Sequence, residues 1–86
     1  MKKITLSIEG KLSEKKAVEI RTSLNDLSGV VAADVAILDA KAYAYAGDKL
    51  DAEAALSKVR ETGVGAALVK EEYINGAEEL VRKRRN

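Results

Sequence analysis

Ser13 and Lys16 lie three residues apart in Gly10-Lys11-Leu12-Ser13-Glu14-Lys15-Lys16 and could in principle pair as nucleophile and base. Serine catalysis needs a group to take the hydroxyl proton, and the chain has no histidine to do so. A lysine can act as that base only as the neutral amine. An exposed first helical turn offers no desolvation to favour that form, and nothing nearby suggests an oxyanion partner. An enzyme is therefore not expected, and Ser13 reads as a helix cap. Cysteine is absent as well as histidine, which removes disulfides, thiolates and every soft metal ligand except Met1. Carboxylates could still hold a hard cation, but that needs several acids converging, and the sequence shows no such cluster. No cofactor is expected.

The other candidates for chemistry are aromatic and basic. In Lys41-Ala42-Tyr43-Ala44-Tyr45-Ala46 the alternation places two tyrosines on one face and three alanines on the other. This segment bears a passing resemblance to the third strand of RNA-recognition motifs, where exposed rings stack on bases. Such stacking contributes about 1–3 kcal/mol per base. The first strand, however, carries Thr5 and Ser7 where the second aromatic platform would stand. Arg82-Lys83-Arg84-Arg85 could touch nucleic acid or an anionic surface, although four adjacent basic residues at a chain end more often form a solvated tail. The net charge is +1, and those four positive charges leave residues 1–81 at −3. An acidic body argues against nucleic acid as the ligand. Tyr43 and Tyr45 then read as cover for an otherwise bare sheet.

The elements that must position these residues follow from the pattern of apolar side chains. Lys3 to Glu9 alternates, with Ile4, Leu6 and Ile8 on one face. Gly10 breaks this strand. Ser13 caps a helix whose stripe is Ala17, Ile20, Leu24 and Leu27, with Leu12 and Ala17 at hydrophobic-staple spacing. Gly29 is placed to take the left-handed conformation that ends it. Val31 to Leu38 alternates again, with Ala33, Val35 and Ile37 inward and Asp34 outward. Asp39-Ala40 is short enough for a hairpin turn into Lys41–Ala46, although it lacks the glycine such turns prefer. Leu50 and Asp51 signal a second helix with Ala52, Ala55, Leu56 and Val59 on one face, stopped by Gly63. Ala66 to Lys70 forms a fourth strand that could extend to Tyr73.

The order strand, helix, strand, strand, helix, strand predicts an α+β, ferredoxin-like βαββαβ open-faced sandwich. Its four-stranded antiparallel sheet carries both helices on one face. The expected organisation is one domain over 1–75 and a charged tail over 76–86, where acids precede bases as in a short helix. With 86 residues, 47% hydrophobic and 34% charged, the chain is of globular composition, and its core must be small and aliphatic because Phe and Trp are missing. No apolar run approaches a membrane span and no signal sequence is apparent, so the expected location is the cytoplasm.

From about Lys3 to Val69 the chain resembles heavy-metal-associated domains, the copper-chaperone-like family. Glu19-Ile20, Leu24 and Leu27-Ser28-Gly29-Val30 are similar to the first helix of that family and its exit. Val35 with Ile37, Lys41-Ala42, Leu56 and Gly63 are similar to its later elements. The resemblance implies a Gly-Met-x-Cys-x-x-Cys metal loop at Gly10–Lys16. Here the thiol positions are Ser13 and Lys16, the methionine position is Lys11, and the aromatic beside the loop is Val64. A hydroxyl and an ammonium cannot replace two thiolates for a soft ion, so metal binding is not expected. The resemblance also implies docking through the loop and first helix, which makes Lys11, Leu12, Glu14, Lys15 and Lys16 the candidate partner surface, with the Tyr43/Tyr45 sheet face as the alternative. The expected function is a non-catalytic protein-interaction or regulatory module. Alternatives are a non-thiol metal site or weak single-stranded nucleic-acid binding through Tyr43 and Tyr45. A protein partner and weak self-association are expected.

Overall fold

A computed structural model of the chain describes residues 1–74. The elements are β1 (Lys2–Ile8), α1 (Glu14–Asp26), β2 (Val30–Ala36), β3 (Lys41–Ala46), α2 (Ala52–Arg60) and β4 (Ala66–Tyr73). They form one antiparallel sheet in the order β2-β3-β1-β4. This is the ferredoxin-like βαββαβ arrangement expected from the sequence. The tail expected over 76–86 lies outside the described residues.

The alternation in the strands decides which face is covered. Ile4, Leu6 and Ile8 of β1 and Ala42 and Ala44 of β3 join Ile20 and Leu24 of α1 and Ala52, Ala55, Leu56 and Val59 of α2 in one core. Each fully buried Ile, Leu or Val contributes roughly 1.5–3 kcal/mol relative to exposure. The alanines contribute less area. They present little bulk, so the sheet and helices meet without large rings between them. Both helices therefore lie on one face, α1 chiefly against β2 and α2 against β4 and α1. The other face carries Lys3, Thr5 and Ser7 opposite Tyr45, Tyr43 and Lys41.

Helix ends follow local chemistry. Ser13 Oγ accepts from the Lys16 backbone N–H at 3.1 Å, and Asp51 Oδ1 accepts from that of Glu53 at 3.0 Å. Each satisfies a donor that the first turn of a helix leaves without an intrahelical partner. The exit of α1 differs slightly from expectation. Leu27 is the C-cap, in extended conformation, and Gly29 makes the left-handed turn (φ +97) two residues later. Gly63 has the same role after α2 (φ +95), with its N–H bonded to Arg60 O at 3.0 Å.

The β2–β3 connection departs further from the sequence reading. Val31 to Leu38 does not run as one strand, because β2 ends at Ala36 and Ile37–Ala40 forms a four-residue turn. The N–H of Ala40 donates to Ile37 O at 3.2 Å, and Ala40 itself sits at φ 52. A two-residue turn over Asp39-Ala40 would favour positive φ at residues with a Cβ, whereas this wider turn needs it only once. Ile37, expected inward, is 36% exposed as a consequence, and Leu38 is 100% exposed. On the opposite edge β4 does reach Tyr73, with a bulge at Val69, since Thr5 pairs with Lys70 while Leu6 pairs with Leu68.

Candidate functional site: the β1–α1 loop

The loop from Glu9 to Ser13 is tied down at both ends. The Glu9 N–H donates to Gly65 O at 2.9 Å, which fixes the loop against the α2–β4 connection. At the other end the Ser13 cap starts α1, and Leu12 packs half-buried against the core. The sequence pattern of a strand, a glycine, a staple and a cap thus places Lys11, Ser13 and Lys16 around one end of the sandwich.

Lys16 is the residue that most changes the reading of this site. Its Nζ donates to the Thr62 carbonyl oxygen at 2.7 Å and to Glu19 Oε2 at 2.8 Å. Thr62 follows the Glu61 C-cap of α2, in the turn where backbone carbonyls lack intrahelical donors and the helix end carries partial negative charge. An ammonium group is suited to that place. The Lys16 hydrogen bond, and next its charge, hold the Glu19 carboxyl below the usual carboxylate range, with a smaller contribution from the charge of Lys15. Ser13 and Lys16 are thus brought close in sequence and space, but their side chains are used in separate structural bonds. Among the described residues, no group of three or more His, Cys, Asp or Glu is placed to hold a metal ion.

The remaining candidates divide by exposure. Lys11, Glu14 and Lys15 are exposed, whereas Leu12 and Lys16 are half-buried. Val64, at the position where the resemblance puts an aromatic, packs half-buried on the core. The Ile37–Ala40 turn contributes residues that were not among the candidates. Gly10, Lys11, Leu12, Ile37, Leu38 and Ala40 line an open cleft of about 300 Å³. A second groove of about 260 Å³ lies between α1 and β2, lined by Glu14, Ala17, Val18, Arg21, Val35 and Ile37. Ile37 borders both. The signal available in the sequence was Ile37-Leu38, two adjacent large aliphatics that strict alternation cannot both bury.

The alternative surface is less open than the sequence suggests. Tyr43 and Tyr45 do lie on the face away from the helices, but Tyr45 is 1% exposed and Tyr43 is half-buried. Lys3 Nζ lies 5.2 Å from the Tyr43 ring centroid and 5.9 Å from that of Tyr45.

Comparison with known proteins bears on the fold. No protein-family model and no curated protein matches the sequence. Solved structures do match in fold. The copper-binding domain of the P-type ATPase HMA7 superimposes with a TM-score of 0.78 at 23% identity, covering 85% of this chain and 100% of that domain. The yeast copper-transporter domain CCC2A gives 0.76 at 16% identity, over 81% of this chain and 97% of that one. Oxidized MerP from Ralstonia metallidurans CH34 gives 0.73 at 17% identity, over 81% and 100%. The chain has the fold of heavy-metal-associated, copper-chaperone-like domains and, with no cysteine anywhere in its sequence, lacks their Cys-x-x-Cys motif.

Proposed function

We propose that this domain is a non-catalytic protein-docking module on a metal-carrier fold, and that the surface beside the former metal loop makes the contact. The observation that carries this reading is Leu38, 100% exposed next to Lys11 and Leu12 on an open apolar cleft. A large aliphatic side chain held on a tight turn beside further apolar lining is favourable to bury against another protein. The exposed ammonium groups of Lys11 and Lys15 border this surface, so the partner that fits is a protein with an apolar projection flanked by carboxylates.

Transport of a soft ion has no support in the ligand set. The positions that the resemblance assigns to two thiolates hold a hydroxyl that caps a helix and an ammonium bonded to Thr62 and Glu19. Catalysis has no support for the same reason, since neither side chain is placed to activate the other. The test is quantitative affinity capture with the unmodified protein, Leu38→Lys, and Lys11→Glu combined with Lys15→Glu. The reading expects the same partner to be lost from both variants. Retention of that partner by both would overturn it.

A further inference from the structure

We propose that the flank formed by α1 and the β2 edge is a self-association surface, on which a second copy of this chain docks about a two-fold axis with its α1 antiparallel to the first. The groove along this flank is lined by Glu14, Ala17, Val18, Arg21, Val35 and Ile37. Its four α1 residues stand at i, i+3, i+4 and i+7, which makes them one face of the helix. Ile20 and Leu24 point elsewhere, into the core. Val18 is 51% exposed in the middle of the groove face, although it is a large aliphatic residue. Together with Ile37 it gains by burial against another molecule. In the sheet order β2 is an edge, with no further strand beyond it among the described residues. The other edge, β4, also exposes Leu68 and Val69, but Lys70, Glu71 and Glu72 follow directly, the pattern of an edge protected by charge.

Two observations choose the occupant. An extended peptide adding to β2 needs an unbroken row of open backbone groups. Here that row is interrupted. The Val35 N–H donates to Asp34 Oδ1 at 2.9 Å, and Val31 forms a bulge, since Val30 pairs with Ala46 while Ala32 pairs with Tyr45. The flank therefore offers side-chain packing rather than strand addition. The second observation is the charge pattern. Glu14 and Arg21 are both exposed and stand seven residues apart on the groove face, with Ala17 and Val18 midway between them. A two-fold axis between Ala17 and Val18 reverses the second helix. It sets Glu14 of each copy against Arg21 of the other, two ion pairs from one contact, with Val18 packed on Ala17 and Val18 of the second copy at the centre. A partner of one charge sign would satisfy one of these residues and repel the other. The short side chain of Ala17 lets the helices approach to the usual ~8–10 Å between axes. A net charge of +1 also gives copies of the chain little general repulsion. The flank shares only Ile37 with the cleft beside Leu38, so the two surfaces can be tested apart.

The test is sedimentation equilibrium of the full chain at low salt over a wide concentration range, together with NOEs between differently labelled copies. A monomer–dimer equilibrium is expected, with intermolecular NOEs from the Val18 methyls to Ala17 and Val18. Glu14→Arg and Arg21→Glu should each weaken the dimer roughly tenfold or more, because each sets like charges together at both contacts. Mixing the two variants should restore association, since their charges are again opposite across the axis. A purely structural effect of either substitution would not be repaired by a second chain. Val18→Glu should abolish the dimer, and Leu38→Lys should leave it unchanged. A chain that is monomeric at every concentration would leave the flank to a different partner and overturn the proposal. So would a dimer indifferent to Val18→Glu, or no recovery on mixing. The NOEs on the unmodified chain decide the matter even if a variant fails to fold.

Discussion

The Lys16 ammonium donates a 2.7 Å hydrogen bond to the Thr62 carbonyl oxygen, joining the first turn of α1 to the C-terminal end of α2 across 46 residues of sequence. The same ammonium group donates to Glu19 Oε2 at 2.8 Å, so a cation carried by the chain is bonded to a backbone carbonyl and a carboxylate and ties α1 to the end of α2.

Removing that cation should cost stability while leaving the fold in place. Lys16→Met keeps most of the stem and loses the charge. A hydrogen bond from a charged donor is worth about 1.5–3 kcal/mol when well shielded, and partial solvent access reduces that here, so a loss of about 0.5–1.5 kcal/mol is expected. Urea unfolding with an unchanged m-value would measure it. A loss near zero would mean that Lys16 prefers solvent to Thr62.

Glu19 reports the same contact through its titration. Its folded carboxyl lies below the usual range because of the Lys16 hydrogen bond and charge. A lowered carboxyl pKa contributes stability above the unfolded value, and that contribution fades as pH falls through the lowered folded value. The carboxyl ¹³C titration of Glu19 should therefore have a midpoint below the ordinary range, moving upward in Lys16→Met. An identical midpoint in both proteins would contradict the contact.

How much of this was legible in the sequence depended on range. Alternation in β1 and β3 and the helical stripe at Ala17, Ile20 and Leu24 were enough for the fold, because each is a local pattern that one buried face imposes. The Ser13 and Asp51 caps were legible for the same reason. The Lys16–Thr62 bond was not, since it joins distant segments and depends on where α2 ends. The β2–β3 turn misled because alternation carries on through Ile37 in the sequence, while the backbone leaves the sheet at Ala36.

That turn makes its own prediction. Ala40 sits at φ 52, where a Cβ crowds the backbone by roughly 1–2 kcal/mol, partly offset by the added entropy cost of glycine. Ala40→Gly should thus stabilise the domain by up to about 1 kcal/mol, raising the thermal midpoint. A lower midpoint would show that the left-handed turn is not the solution conformation.

Leu38 separates binding from stability. At 100% exposure it contributes no core contact, so Leu38→Lys should leave the unfolding midpoint within about 0.5 kcal/mol of the parent. Loss of partner capture without loss of stability is the expected pair of results. A marked destabilisation would place Leu38 inside a packed cluster and remove it from the docking surface.

The most direct measurement is a Cu(I) titration of the parent chain beside Ser13→Cys combined with Lys16→Cys, each against a competing chelator. A loop that retains the carrier geometry but has an ammonium in place of a thiolate predicts no 1:1 complex for the parent and a soft-metal complex for the double variant. A 1:1 complex of micromolar affinity or tighter in the parent would contradict the account at its centre.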